Sequence, residues 1–268
     1  PAGSGKTRVL TRRIAWRARQ STLDVRRVLA ITFTTRAAQE LSSRLGALLG
    51  RDTGTTGTFH AVAWRMLRDH HRERGTTPPA ILERSADLLD ELVPTRYRAV
   101  AAQIRADIAW ASARGVTPET FPSEVRAAER RSTVDPAITA EVFAAYVVAK
   151  RRRGVVDFDD LIRSCAELAE SDPTFAGVQR WRHRHFFVDE YQDVNPLQQR
   201  LLDAWLADRD DLFVVGDPHQ AIYGFNGADA GFLTGFTERY RHAGLIELSR
   251  NHRSTPELVR VARAVLPR

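Results

Sequence analysis

The chain has 268 residues, of which 43% are apolar, and this composition excludes a globally disordered protein while allowing one large or two smaller cores. The single cysteine, Cys165, excludes an internal disulfide framework or thiolate metal site and predicts a cytoplasmic protein, and no apolar run is long enough to span a membrane. The formal net charge of +7 fits a polyanionic partner such as nucleic acid, or equally a solvated basic surface.

The first part of the chain alternates between predicted helices and strands. A helix is predicted at 7–20, a buried strand at 27–33 and a second helix at about 37–48. A short strand at 54–58 then leads into a helix at about 60–74. Alternation of this kind is typical of a parallel sheet that is covered by helices.

The pattern becomes helical from 76 to 153, where no run longer than 80–82 favours a strand. Prolines separate the four predicted helices, which are 85–92, 97–114, 123–131 and 138–153. We interpret 76–153 as an all-helical subdomain inserted into the sheet domain. The sheet domain therefore comprises 1–75 and a second part that begins at 154.

Strands are predicted again after the insertion, at 185–190, 211–217 and 244–248. Helices at about 157–170, 196–207 and 255–265 alternate with them. The fold class is therefore α/β, with a helical insertion between two groups of strands.

A glycine-rich loop with the sequence PAGSGKT occupies residues 1–7, directly before the first predicted helix. Small residues let backbone N–H groups point at phosphate oxygens, while Lys6 would reach the β- and γ-phosphates and Thr7 would hold Mg²⁺. The predicted nucleotide-binding residues are Ala2, Gly3, Ser4, Gly5, Lys6 and Thr7. The motif's first glycine would precede Pro1 and the only methionine is Met66, so we expect sequence upstream; an accidental glycine turn is the alternative.

Two adjacent acids, Asp189 and Glu190, end an apolar predicted strand, as in a Walker B motif. Asp189 would hold Mg²⁺, and Glu190 would orient and deprotonate the attacking water. The alternative is a strand that runs into a solvated acidic turn. Both motifs lie at the carboxyl ends of predicted strands, where open α/β sheets bind ligands. Together they predict a nucleoside triphosphatase, without selecting the base.

Six runs of sequence resemble motifs of superfamily 1 DNA helicases of the UvrD/Rep/PcrA type, and they occur along the chain in the same order as in that family. They are 31–34 (ITFT), 57–60 (GTFH), 157–161 (DFDDL), 188–193 (VDEYQD), 216–223 (GDPHQAIY) and 248–254 (LSRNHRS). The resemblance implies a RecA-like P-loop NTPase domain (1–75 and 154–243), the inserted helical subdomain, and the truncated start of a second RecA-like domain at 244–268. It also implies ATP-driven translocation on single-stranded DNA with duplex unwinding, 3′ to 5′, in DNA repair or replication.

The resemblance assigns further site residues. Gln220 would sense the γ-phosphate, and Arg253 would reach it from across the cleft, stabilising charge in the transition state. By themselves these two would be interpreted as a turn residue and a surface charge. Bases would stack on Phe33, Tyr223 and Phe225, whereas Thr58 and His60 would contact the DNA backbone. Core packing is the alternative for Phe33.

The sequence departs from the family at three positions: Phe225 replaces a common tryptophan, Asn226 an arginine and His252 a tyrosine. The basic run 150–153 either lines the DNA path or, as we prefer, ends a helix in solvent. His183 and His185 are interpreted as structural or surface residues.

Three functional alternatives to a simple helicase stay open. The first is the helicase part of a recombination helicase–nuclease, and the second is an ATP-gated DNA-binding module with little hydrolysis. Intact Glu190 and Gln220 argue against the second. The third is an RNA substrate, for which no residue offers recognition of the 2′-hydroxyl.

Overall fold

A computed structural model describes residues 3–50 and 52–265, with six strands and thirteen α-helices among them. The strands are β1 (Val28–Ile31), β2 (Thr55–Gly57), β3 (Ala80–Ile81), β4 (Val155–Val156), β5 (His185–Val188) and β6 (Leu212–Val214). The helices are α1 (Lys6–Arg19), α2 (Thr35–Leu49), α3 (Phe59–Glu73), α4 (Ser85–Leu92), α5 (Ala101–Ala113), α6 (Phe121–Ala127), α7 (Pro136–Arg153), α8 (Phe158–Ser171), α9 (Pro173–Arg182), α10 (Pro196–Leu206), α11 (Gly231–Thr234), α12 (Phe236–Arg239) and α13 (Pro256–Val265). Within the described ranges, no helix combines the length and the apolar character that crossing a membrane requires.

The main sheet has four parallel strands in the order β2–β1–β5–β6, which confirms the predicted α/β class and parallel sheet. Ala30 of β1 is the register partner of Thr56 on one side and of Phe187 on the other. Parallel neighbours need helical crossovers, and α2 supplies the connection from β1 to β2. All carboxyl ends therefore meet at one edge of the sheet.

Alternate residues of the central strands pack into two different cores. Leu29 and Ile31 of β1 face the core formed with α3, α8 and α10, whereas Val28 and Ala30 face the core formed with α1 and α2. Phe187 of β5 belongs to the second core. The sheet is thus the middle layer of three, and each fully buried Leu or Phe side chain contributes about 1.5–3 kcal/mol relative to an exposed one.

Residues 85–153, the helical segment, contain α4 to α7 and enclose a separate apolar core. Its buried side chains include Leu88, Ile104, Trp110, Phe121, Phe143 and Tyr146. Strands β3 and β4 pair in parallel where the chain enters and leaves this segment, with Ala80 opposite Val155. The predicted helix 85–92 is confirmed at both ends, and that at 97–114 starts as a 3₁₀ turn, Thr95–Val100, before α5.

The structure differs from the sequence predictions at α9 and at residues 244–248. Helix α9 was missed, although Asp172 caps it by accepting hydrogen bonds from the Thr174 and Phe175 amides, and Pro173 is its first residue. The predicted strand 244–248 is wrong, because this stretch has no strand conformation and exposes Leu245 (82%) and Ile246 (77%). An apolar run forms a strand only when a neighbour supplies hydrogen bonds and cover, and none of the described residues does so here.

The preferred interpretation of the run 150–153 as a solvated helix end is wrong for its first residue. Lys150 is buried, and its Nζ donates to Asp157 Oδ2 and to Asp160 Oδ2, both at 2.5 Å. The Tyr146 hydroxyl donates to the same oxygen of Asp157 at 2.8 Å. Burial alone would raise the pKa of Asp157, but the charge and hydrogen bond of Lys150 lower it. This ion cluster fastens α7 to α8.

Replacing Lys150 with methionine is expected to lower the free energy of unfolding by about 3–5 kcal/mol, because two carboxylates would lose their buried counter-charge. Urea denaturation at neutral pH measures the loss. Arg152→Met is the matched control, since Arg152 lies two residues further along α7 and is exposed. Equal stability of the two variants would contradict the prediction.

Candidate active site

The glycine-rich loop leads directly into α1, at the carboxyl edge of the sheet. Gly3 and Gly5 adopt left-handed conformations (φ 71° and 87°), which only glycine adopts without strain, and Gly5 is the N-cap of α1. The Ser4 hydroxyl is buried and has no hydrogen-bond partner among the described residues. A phosphate oxygen would satisfy both this hydroxyl and the free amides at the start of α1. Ala2, the other predicted residue of the loop, lies outside the described residues.

The two predicted Mg²⁺ ligands lie in contact. Thr7 Oγ1 donates a hydrogen bond to Asp189 Oδ2 at 2.7 Å, although the two residues belong to α1 and to the turn after β5. Burial raises the pKa of the Asp189 carboxyl, while the hydrogen bond from Thr7 and the charge of Lys6 lower it. A hydroxyl and a carboxylate are the hard oxygen ligands that Mg²⁺ prefers, so this donor set fits the ion.

Glu190 follows Asp189 in a left-handed conformation (φ 53°, ψ 45°), which costs a non-glycine residue about 1–2 kcal/mol. Its Oε2 accepts a hydrogen bond from Gln192 Nε2 at 2.9 Å. The strained backbone and this hydrogen bond direct the carboxylate, which is what a base for an attacking water needs.

Gln192 is a functional candidate that the sequence did not identify. Its amide Nε2 also donates to Asp193 Oδ2 at 3.2 Å, and its Oε1 accepts from the backbone amide of Asp217 at 2.9 Å. Burial, with the charge of Glu190, raises the pKa of Asp193 to about 6. Gln192 therefore links the candidate base to the loop after β6. The only signal was its place inside the motif at 188–193.

The loop after β6 brings Gln220 to the same edge. Gln220 Nε2 donates to Asp217 Oδ2, and that carboxylate oxygen lies 4.0 Å from Lys6 Nζ. Asp217 thus bridges Gln220, the predicted phosphate sensor, and Lys6, the predicted phosphate ligand. The carboxyl edge of the sheet therefore brings together Lys6, Asp189, Glu190 and Gln220.

Arg253 lies against the glycine-rich loop. The neighbouring His252 donates its backbone amide to the Gly3 carbonyl at 2.9 Å, and Asn251 Oδ1 accepts from the Arg253 amide at 2.8 Å. A Cβ atom placed on Gly3 would stand 2.6 Å from Arg253 Cβ. Arg253 is exposed, so its side chain is accessible to a ligand at the glycine-rich loop.

Three aromatic rings form a row beside this edge, hereafter the aromatic row. Phe33 stacks on Tyr223 with ring centroids 4.8 Å apart, and Tyr223 lies 6.3 Å from Phe225. Phe225 is 70% exposed and Phe33 is also exposed, so core packing does not explain either ring. Tyr223 is partly buried, stacked on Phe33 at 27° and tilted by 43° to Phe225. The two outer rings, Phe33 and Phe225, are exposed and can stack on nucleic-acid bases.

Thr58 and His60 have structural contacts that the sequence did not predict. Thr58 Oγ1 accepts the Ala61 amide at 3.2 Å and so caps α3, and the His60 ring meets the edge of Phe158 at 5.8 Å. Burial lowers the pKa of His60, against the charge of Asp157. Their contact with a DNA backbone stays a prediction.

His183, two residues before β5, and His185, the first residue of β5, are both buried, so a surface location is wrong for both and the structural interpretation remains. His185 Nδ1 lies 2.6 Å from Asp211 Oδ2, on the edge of the sheet opposite the candidate site. Burial lowers the pKa of His183 to about 4, and three nearby arginines act in the same direction.

Comparison with known proteins gives one family and a set of curated relatives. Residues 1–241 match the family described as UvrD/REP helicase N-terminal domain. The chain is 41% identical to "ATP-dependent DNA helicase UvrD2" of Mycobacterium bovis, with 99% of this chain and 40% of that protein covered. It is 34% identical to "ATP-dependent DNA helicase PcrA" of Leuconostoc citreum (99% and 36% covered) and 32% identical to "DNA helicase II" of Escherichia coli (99% and 37% covered). The chain thus spans about two-fifths of the length of these relatives.

Proposed function

Since the chain belongs to the UvrD/REP helicase N-terminal domain family, we propose that it is the ATP-hydrolysing part of a helicase that moves along single-stranded DNA and unwinds partly duplex DNA. The observation that carries the proposal is the convergence of the glycine-rich loop, the Thr7–Asp189 pair and Glu190 at one sheet edge, beside the aromatic row. A 3′ to 5′ direction, a role in repair or replication, and a cytoplasmic location rest on the sequence and its family resemblance.

The proposed domain division follows the predicted one. Residues 1–75 and 154–243 form a RecA-like domain around the parallel sheet, and 76–153 are its helical insertion. Residues 244–268 begin a second RecA-like domain. The separate core of the helical segment and the pairing of β3 with β4 at its base support the first boundary.

Each step of ATP hydrolysis is assigned to residues that lie close together at this edge of the sheet. Lys6 and the loop amides would bind the phosphates, and Thr7 and Asp189 would hold Mg²⁺, which supplies positive charge to the phosphate oxygens. Glu190 would take a proton from the attacking water while Gln192 keeps its carboxylate in place. Gln220 would sense the γ-phosphate, and Arg253 would stabilise the negative charge that develops on it.

Movement along DNA needs a grip that does not depend on base sequence. Stacking on Phe33, Tyr223 and Phe225 provides it, because every base has an aromatic face. Tyr223 and Phe225 follow Gln220 in the same loop, so a change at the γ-phosphate can be transmitted to the aromatic row through a few residues of backbone.

Replacing Tyr223 or Phe225 with alanine is expected to lower single-strand affinity by about 1–3 kcal/mol per lost stack, and by similar amounts for different base sequences. Fluorescence titration of labelled oligonucleotides measures this loss of affinity. Two salt concentrations are used, because counterion release makes a sequence-independent contribution to the affinity that depends on salt. Trp16→Ala is the control, as Trp16 is an exposed aromatic side chain on α1. If both loop variants bind like Trp16→Ala, the rings are not the DNA track.

A further inference from the structure

The helical segment contacts the loop that carries two of the three aromatic rings. In the aromatic loop, residues 221–227, the Phe225 carbonyl oxygen accepts a hydrogen bond from Arg130 Nη1 at 3.3 Å. The Arg130 guanidinium also donates through Nε to Asp107 Oδ1 at 2.9 Å and lies over the Trp110 ring, 5.0 Å from its centroid. One side chain of the helical segment therefore touches the backbone beneath an exposed DNA-stacking ring.

The Arg130 side chain is held in place by the buried carboxylate of Asp107. Asp107 is 1% exposed, and its carboxylate also accepts from Gln103 Nε2 at 3.0 Å and from Ser132 Oγ at 2.7 Å. The Arg130 side chain is itself only 15% exposed. A charge-assisted pair that is buried and hydrogen-bonded on both sides fixes the direction of the guanidinium.

A second contact fixes the far end of the loop. Gly227 has φ 94°, and a Cβ atom placed on it would stand 2.8 Å from Ala113 Cβ and 3.2 Å from the Trp110 carbonyl oxygen. The loop backbone therefore lies directly on α5, and only glycine allows this approach. The Arg114 guanidinium also lies over the Trp110 ring, 5.3 Å from its centroid. Its Nη1 is 3.9 Å from Oδ2 of Asp229, which follows the loop.

We propose that the helical segment, through Arg130 and the seat of Gly227 on α5, holds the aromatic loop in the conformation that stacks on DNA. This rests on the proposed function. Phe225 cannot be positioned by its own burial, because its ring is 70% exposed. What fixes it is its carbonyl group, and Arg130 is the side chain that binds this group. Arg130 is thus a positioning residue that acts on DNA through Phe225.

Hydrogen exchange tests the link without DNA. In Arg130→Ala, the amides of Asn226, Gly227 and Ala228, which donate to carbonyl oxygens of the loop, should exchange several-fold faster than in the wild-type chain. Arg126→Ala removes the same charge from an exposed position of the helical segment and should leave the loop unchanged. Equal exchange in Arg130→Ala and Arg126→Ala would overturn the proposal. Should Arg130→Ala unfold the helical segment, Gly227→Ala disrupts the second contact, that of the loop with α5, and should speed exchange of the same loop amides.

DNA titration of the 268-residue chain then tests the consequence. Arg130→Ala should lower oligonucleotide affinity by about fivefold or more, the low end for one lost stack. In a Phe225→Ala background the same change should cost less than about twofold, because both act on one contact. Independent, additive losses would mean that Arg130 binds DNA by its own charge, and the proposal would be wrong. If the single variant Phe225→Ala binds oligonucleotides as tightly as the unmodified chain, the proposed DNA track is wrong.

Discussion

Replacing Arg253 with alanine is expected to lower DNA-stimulated ATP hydrolysis by about 10³–10⁵-fold, with a much smaller effect on ATP binding. The reason is that its charge would act on the γ-phosphate only as negative charge develops during transfer. The structure supports this role by placing Arg253 beside Gly3, with the His252 amide bound to the Gly3 carbonyl. Because the relatives are more than twice as long as this chain, the assay uses a protein that carries it within a full-length helicase.

The control for this prediction is another exposed arginine nearby in sequence. Arg241→Ala removes the same charge from a turn before the segment that contacts Gly3, so turnover should stay close to that of the unmodified protein. Single-turnover hydrolysis and nucleotide titration separate the chemical step from binding. Comparable turnover in the Arg253 and Arg241 variants would show that Arg253 is only a surface charge.

Replacing Glu190 with glutamine is expected to lower the hydrolysis rate by about 10²–10⁴-fold while ATP binding stays nearly intact. The amide fills the same space but cannot accept a proton from water. Lys6→Ala should differ in kind, because loss of a phosphate-directed charge weakens binding and hydrolysis together. The two variants thus separate the roles of base and phosphate ligand in one set of titrations and rate measurements.

Glu83→Gln is the matched control for Glu190→Gln, since Glu83 is an exposed glutamate outside the site. A normal DNA-stimulated rate in Glu190→Gln would show that another group activates the water. An unmodified full-length protein that binds ATP and DNA but does not hydrolyse ATP would instead favour the ATP-gated DNA-binding module.

Local sequence was sufficient for most of the fold. Strand β1 is a short apolar run whose residues alternate between two cores, and helices α8 and α10 begin at capping boxes, Asp157 with Asp160 and Asn195 with Gln198. Such signals lie within a few residues of the element that they define. The convergence of Thr7 with Asp189 was also predictable, because both follow from the rule that parallel strands end at one edge.

Contacts between distant parts of the chain could not be predicted in the same way. Lys150 looked like the start of a solvated basic run, and only the approach of α8 buries it against Asp157 and Asp160. Gln192 and Arg130 gain their roles from partners on other elements, Asp217 and Phe225. No periodicity or spacing in one sequence encodes which surface two helices or loops will share.

The pairing of β3 with β4 has a consequence for how the chain folds. Strand β1 must find β5, with Leu29 opposite Phe186, and this separation in sequence makes the sheet slow to nucleate. The helical segment has local contacts and its own core, and closing Ala80 on Val155 brings its two ends together. The loop that the sheet must close then loses nearly half its length, which lowers the chain-entropy cost by about 0.6 kcal/mol. We therefore expect β3 and β4 to pair before the main sheet forms and so to speed the joining of β5 to β1.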